Sequence, residues 1–336
     1  MPSDSPCERA RADYVYVRRR LPTDLDSGVT LDLARNTHAT QFSDVPRDAL
    51  IPVKEAFLEV LGSMVSGALD ESGLKVLRYV RGLGGNQEST VLYYGDRTNM
   101  CNAALANGAF AKRAYESAIV PAVLAVAEKT FADGREILAA TVTGLETMLR
   151  LSKAASPTVP SERPLDPIST FGPFGAMVAA GKLLRLSVFD MENALTCCAA
   201  QAAGTLQSTE TGSESRCLVP GFAASYGVKA ASMARHGVSG ARDTLEGKAG
   251  FFMCIAGVTM ERKPKYDVKK VNGSFGTEWH VRDAITAGGE GREVKVRRQL
   301  ASAGFSEARQ QRVIDIVNNL EEENDIGPLV SLLVKR

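Results

Sequence analysis

Residues 166–204 read DPISTFGPFGAMVAAGKLLRLSVFDMENALTCCAAQAAG, and this stretch decides what core the chain can build. Helices are expected at about 170–186 and 189–206, with a third of the same make at about 220–236. Their composition is unusual. Ala176, Ala179, Ala180 and Gly181 line the first, Ala199, Ala200, Ala202, Ala203 and Gly204 the second, and Ala223, Ala224, Ala230 and Ala231 the third. With so little side-chain bulk, the helices can approach at the short end of the usual interaxial range of about 8–10 Å. An all-α core follows, short of aromatic residues.

Working outward, the pattern stays helical. Asp44 is placed to cap and Pro46 to open a helix whose inner face is Val53, Phe57, Val60, Leu61, Met64 and Val65. A second helix begins at Asp133, where Glu136 completes a capping box and Ile137, Thr141, Leu145, Met148 and Leu149 form the stripe. Ser306 is a candidate cap for a late helix with Val313, Ile316, Val317 and Leu320 inside. The domain plan expected is a helical domain over 29–261 and 301–336. Residues 262–300, rich in Lys and Gly, read as a vestigial lid or loop-rich appendage. Residues 1–28 read either as an arm that orders against a partner subunit or as plain disorder.

Charge and composition exclude several function classes. Lys plus Arg number 40 against 39 Asp plus Glu, so no net field steers the chain to nucleic acid or to an anionic membrane. No apolar run reaches the roughly 18 residues of a membrane span. Three scattered histidines make no metal-ligand pattern, and six cysteines without C-x-x-C spacing point to a reduced, cytoplasmic protein. No cofactor is expected, and the partner expected is a small-molecule substrate.

The block at 166–204 resembles the MmgE/PrpD family, which includes 2-methylcitrate dehydratase and cis-aconitate decarboxylase. Its members carry H-P-x-x-T-F-G-x-x-G followed by N-A-L-x-x-A-x-x-Q-A-x-G. Here Thr170, Phe171, Gly172, Gly175, Asn193, Ala194, Leu195, Gln201, Ala202 and Gly204 stand in register. NAALANGAFA (102–111) is similar to the family's N-A-A-x-x-N-G segment, and PGFAASYGVKAASMARHGVSG (220–240) to a later one. The resemblance implies a helical main domain built by both chain ends, an inserted α/β lid, here largely deleted, and a homodimer.

The resemblance breaks at the residues that carry the family's chemistry. Lys112 stands where the N-G-x-x-x-H histidine would be, and only Arg113-Ala114-Tyr115-Glu116-Ser117 replaces the Asp-Asp-Thr-His loop that follows in relatives. The histidine of H-P-x-x-T-F-G is Asp166. In the segment Glu214 to Gly221 the family's Lys is Arg216 and its His is Val219. Candidate catalytic residues are therefore Asp166, Glu116 and Tyr115 for proton transfer, with Arg216 as the carboxylate holder. Arg113, Thr170, Ser213 and Ser215 are candidates for substrate binding.

Each has a structural alternative. Asp166, before Pro167, can be a helix cap; Arg216 can pair with Glu210 or Glu214; Arg113 and Glu116 can be a solvated pair. Three functions from different classes stay open. One is a divergent lyase, isomerase or cyclisation enzyme, the second a catalytically inactive paralogue that serves as a binding or dimerisation partner, and the third a ligand-binding protein without turnover.

Overall fold

In the computed structural model, which describes residues 27–111, 114–156, 158–261, 263–286 and 291–335, helix follows helix. The order begins α1 (Val29–Ala39), α2 (Arg47–Gly67) and α3 (Glu71–Leu83). The antiparallel pair β1 (Ser89–Thr90) and β2 (Arg97–Thr98) interrupts, with Ser89 opposite Thr98. Then come α4 (Met100–Phe110), α5 (Val120–Thr130), α6 (Gly134–Ala155), α7 (Pro167–Leu183), α8 (Val188–Ala199) and α9 (Leu218–Arg235). The chain closes with α10 (Arg292–Ser302), α11 (Glu307–Asn318) and a last turn at Gly327–Leu332. The arm expected over 1–28 lies outside the described residues except for its last two positions.

Helix α7 is the centre. It is buried on nearly every side, as a helix apolar all round must be. α9 and α6 flank it, α5 and α8 complete the ring, and α4 packs on the far side of α9. The small residues allow this. A Cβ on Gly144 of α6 would lie 2.6 Å from the carbonyl oxygen of Gly175 on α7. At the α4/α9 crossing, a Cβ on Gly221 would lie 2.4 Å from the Leu105 carbonyl oxygen and 2.9 Å from the Ala109 nitrogen.

Those neighbours are backbone and cannot swing aside, so Gly221→Ala is expected to destabilise by about 1–3 kcal/mol through overpacking. Gly82→Ala is the control. A Cβ there meets nothing within 4 Å, so the same change in α3 should be neutral or stabilising by up to about 1 kcal/mol. Urea denaturation of the two variants reads the difference.

The chain end returns to the beginning. α10 lies on α2, α11 packs on both, and Tyr93 exchanges backbone hydrogen bonds with Leu333 and Lys335. Among the described residues of 262–300 there is no paired strand. The chain there forms short helices at Lys269–Asn272 and Val281–Thr286 and then α10, preceded by an isolated Val258–Pro264 bridge.

That turn region is clamped to α6 by a pair with no solvent exposure. Arg150 Nε donates to Glu146 Oε1 at 2.7 Å, and its guanidinium also donates to the carbonyls of Gly273, Ser274 and Glu278. The free Glu146 oxygen accepts from Val281 N at 3.2 Å, and Phe275 stacks on the guanidinium at 4.8 Å.

Several ends differ from expectation. The Asp133/Glu136 capping box is present. Asp44, however, closes a box with Gln41 on the 3-10 turn Phe42–Asp44, and Pro46 itself is the cap position of α2. α8 stops at Ala199 rather than near 206, because Gly204 turns the chain so that its carbonyl takes the Asp166 N–H at 3.0 Å. Lys182 in the last turn of α7 donates to the Thr37 and Thr40 carbonyls, capping α1 from outside. Burial pushes its ammonium down to about 8, with Asp44 opposing.

Candidate functional site

The segment between α4 and α5, expected from the resemblance to be short, holds a 3-10 turn, Tyr115–Ala118, with Ser117 and Ala118 buried. It packs on α7, α9, α5 and α2. The contact with α7 is tight, since a Cβ on Gly172 would lie 2.9 Å from that of Ala118. The turn therefore sits over the first half of α7. Lys112 and Arg113 lie outside the described residues.

Tyr115 is 39% exposed at the surface of this junction. Burial raises its hydroxyl above the usual phenol range, and the carboxylates of Asp166 and Glu116 push it further the same way. Tyr115 thus feels both carboxylates. Glu116 is half-buried, and burial raises its carboxyl above the ordinary glutamate value; Arg292 opposes that and Glu59 adds to it. Arg292 pairs with Glu55 at 3.2 Å and Glu59 at 3.5 Å, and Lys295 also pairs with Glu59. Glu116 accordingly faces a cluster joining α2 to α10.

Asp166 is fully buried and caps α7, with Oδ1 accepting from Ile168 N at 2.9 Å and Ser169 N at 3.0 Å. Its side chain thus does what the capping alternative expects. One turn on, Thr170 is also fully buried, and its Oγ1 has no hydrogen-bond partner among the described residues. A buried hydroxyl without a partner is costly, which makes Thr170 a position that gains from a polar ligand or water.

Ser213, Ser215 and Arg216 are exposed on the segment that leads into α9. Ser213 caps the 3-10 turn Glu214–Cys217, and its Oγ lies 2.9 Å from that of Ser215. Glu214, expected as a partner of Arg216, is taken by Lys75 of α3 at 2.9 Å. That bond holds the Glu214 carboxyl below its usual range and raises the Lys75 ammonium. So Tyr115 and Glu116 sit on the turn packed against α7, Asp166 and Thr170 are buried at the start of α7, and the serine and arginine positions are exposed.

Sequence reasoning missed Arg292 and Glu59 beside Glu116, and Lys75 beside Glu214. These partners are separated by long stretches of chain and carry no local signal. Two clefts lie elsewhere. One, of about 320 Å³, is bounded by Glu88, Arg97, Glu128, Lys129 and Phe131. The other, of about 580 Å³, lies between α10 and α11. Among the described residues no group of three His, Cys, Asp or Glu side chains is placed to hold a metal ion, and no helix is long and apolar enough to cross a membrane.

Comparison with known proteins places this geometry in context. The model of the MmgE/PrpD N-terminal domain matches residues 31–262. A cis-aconitate decarboxylase-like protein, oryM, of Aspergillus oryzae is 27% identical over 275 residues, covering 76% of this chain and 57% of that protein. Cis-aconitate decarboxylase of Aspergillus terreus is 26% identical over 272 residues, covering 76% of this chain and 55% of that enzyme. The chain spans about half the length of the curated relatives it matches.

Proposed function

This chain belongs to the MmgE/PrpD family, and from that premise we propose that its helical domain is a divergent enzyme of lyase, isomerase or cyclisation type. It acts on a small carboxylate-bearing metabolite by acid-base chemistry. The observation that supports the reading is the packing of the turn carrying Tyr115 and Glu116 against α7, where the Asp166 and Glu116 carboxylates both act on the Tyr115 hydroxyl.

The roles follow from the surroundings. Glu116, whose protonated form is favoured by burial, is the general acid. The Tyr115 hydroxyl stays protonated and donates a hydrogen bond to developing charge on the substrate. Asp166, held by its cap, is the base. Arg216, with Ser213 and Ser215, takes the substrate carboxylate from the loop side, where a guanidinium can bind both oxygens. With Lys112, Asp166 and Val219 at positions where relatives carry histidines, the reaction named in the relatives, decarboxylation of cis-aconitate, is not the one expected here.

A homodimer is part of this reading. It is supported by the outer face of α9, where Phe222 (40% exposed) stacks on Tyr226 and Met233 (44% exposed) continues the stripe. Sedimentation at micromolar concentration should give a species of twice the chain mass. A single species of monomer mass would end the dimer proposal.

The catalytic proposal is tested by incubating the protein with a panel of small mono-, di- and tricarboxylic acids, cis-aconitate included. Products are followed by proton NMR and carbon dioxide release. Turnover of one member is expected, with Arg216→Met raising its KM by roughly 10- to 100-fold, since a hydrogen bond to a charged group contributes about 1.5–3 kcal/mol. No turnover across the panel, with co-purification of a longer relative, would favour the other reading, a catalytically inactive partner. The use of an Asp166 oxygen as a cap is the observation on that side.

A further inference from the structure

The end of α5 carries a residue that local preference argues against. Phe131 closes the helix at φ +52° and ψ +45°, the left-handed position that glycine usually holds, and it is 49% exposed. It borders the cleft of about 320 Å³, which three separate stretches of chain enclose. The hairpin before α4 is hung on α5 by Glu128, whose carboxylate accepts from Thr90 N and Thr90 Oγ1 at 2.7 Å and from Arg97 Nη1 at 3.3 Å. The segment leading into the last turn is held by Gly134 N of α6, which donates to Glu323 O at 2.8 Å.

We propose that this cleft binds a small zwitterion of the amino-acid class, with an ammonium and a carboxylate on one short chain. Its walls carry both signs of charge, Glu88, Glu128 and Asp325 against Arg97 and Lys129. Two of these are occupied in holding the hairpin. Glu128 is only 8% exposed, and Arg97 donates to the Gln87 and Glu88 carbonyls as well as to Glu128. Lys129 and Asp325 keep capacity to spare. The Lys129 ammonium gives one hydrogen bond among the described residues, to Glu88 Oε1 at 2.7 Å, and has two protons left. Asp325 Oδ1 accepts from Gly327 N at 2.6 Å, and its other oxygen has no protein donor among the described residues. A carboxylate on Lys129 and an ammonium on Asp325, against the Phe131 ring, would use all three.

A volume of about 320 Å³ is at the lower end for ligand pockets, which suits a ligand of a few heavy atoms. Charge pattern then sets the class. An anion alone would meet Asp325 and a cation alone would meet Lys129, whereas a ligand bearing both charges is matched at each end. The cleft lies at the last turn of α5 and the Tyr115–Ala118 turn just before its first, so the 11 residues of the helix, about 16 Å, separate the two. The proposal is therefore independent of the acid-base reading.

Ligand-observed NMR titration of the full chain tests this with L-alanine, β-alanine and γ-aminobutyrate, which set the two charges at increasing separation. Each is paired with its N-acetyl and amide forms, which keep one charge. At least one zwitterion should bind, and its single-charge forms should bind about 10- to 100-fold more weakly. Lys129→Met and Asp325→Asn should each weaken the zwitterion by a similar factor, while the asparagine keeps an oxygen for Gly327 N. Phe131→Gly should weaken it by about two- to fivefold. Its urea stability should equal or exceed the parent's, because glycine fits the left-handed turn. Absence of binding by all three zwitterions at concentrations up to about 10 mM would overturn the proposal. So would equal binding of the single-charge forms, affinity unchanged in Lys129→Met and Asp325→Asn, or a Phe131→Gly variant that loses stability and keeps its affinity.

Discussion

Arg150→Met is expected to cost about 3–5 kcal/mol of stability, more than any other single side-chain truncation proposed for this chain. The guanidinium has no solvent exposure and is the hydrogen-bond donor for one Glu146 oxygen and three backbone carbonyls of the segment 273–278. Removing it leaves a buried carboxylate without its counter-charge and three carbonyls without their donor. The double variant Arg150→Met with Glu146→Leu should lose less than the sum of the two single changes, because the unpaired charge leaves with its partner. Urea denaturation measures both. A cost below about 1 kcal/mol, the level of an exposed pair, would mean that the clamp is solvated.

Glu116→Gln is expected to lower kcat on a turned-over substrate by about 10²–10⁴, the usual contribution of a general acid. The pH dependence has a definite sign. Burial raises the Glu116 carboxyl, so the acid form persists further toward neutrality, and the rate is full below the folded pKa and falls as pH rises through it. Stability follows by linkage. Between the unfolded value, about 4.3, and the raised folded value the native state binds more protons than the unfolded chain. The stability contributed by Glu116 is therefore fully present below the unfolded pKa and is lost as pH rises through the folded one. Glu116→Gln should accordingly be at least as stable as the parent at pH 7 while being far less active. A variant that loses stability and activity together would assign Glu116 to the Arg292 and Glu59 cluster as a structural member.

Much of the helical frame was legible because its signals are local. The Asp133/Glu136 box, the Ser306 cap and the Ala/Gly lining of 166–236 are each set by residues within a few positions of one another. What escaped depends on partners far along the chain. Glu146 and Arg150, at i and i+4, look like an ordinary surface pair, and only the packing of 273–281 over them puts both out of water. The early end of α8 is of the same kind, since it follows from the bond of Gly204 to Asp166.

The candidate site divides the same way. The turn between α4 and α5 and the Asp166 cap could be read, because both are set by neighbouring residues. The pairing of Glu214 with Lys75 could not, because the two lie far apart along the chain. Nor could the charge cluster at Glu116, which exists only because α10 returns to α2.

The proposed shared centre of Tyr115, Glu116 and Asp166 can be tested before any substrate is found, by NMR titration of the Tyr115 ring carbon bearing the hydroxyl. In the parent protein the hydroxyl should titrate above the ordinary tyrosine value of about 10. Asp166→Asn keeps the helix cap but removes the charge, and Glu116→Gln removes the second charge. Each should move the titration down, Asp166→Asn the further, as the order of the two carboxylates' effects on Tyr115 requires. A Tyr115 titration that is the same in the parent and in both variants would mean that the three groups do not share a site.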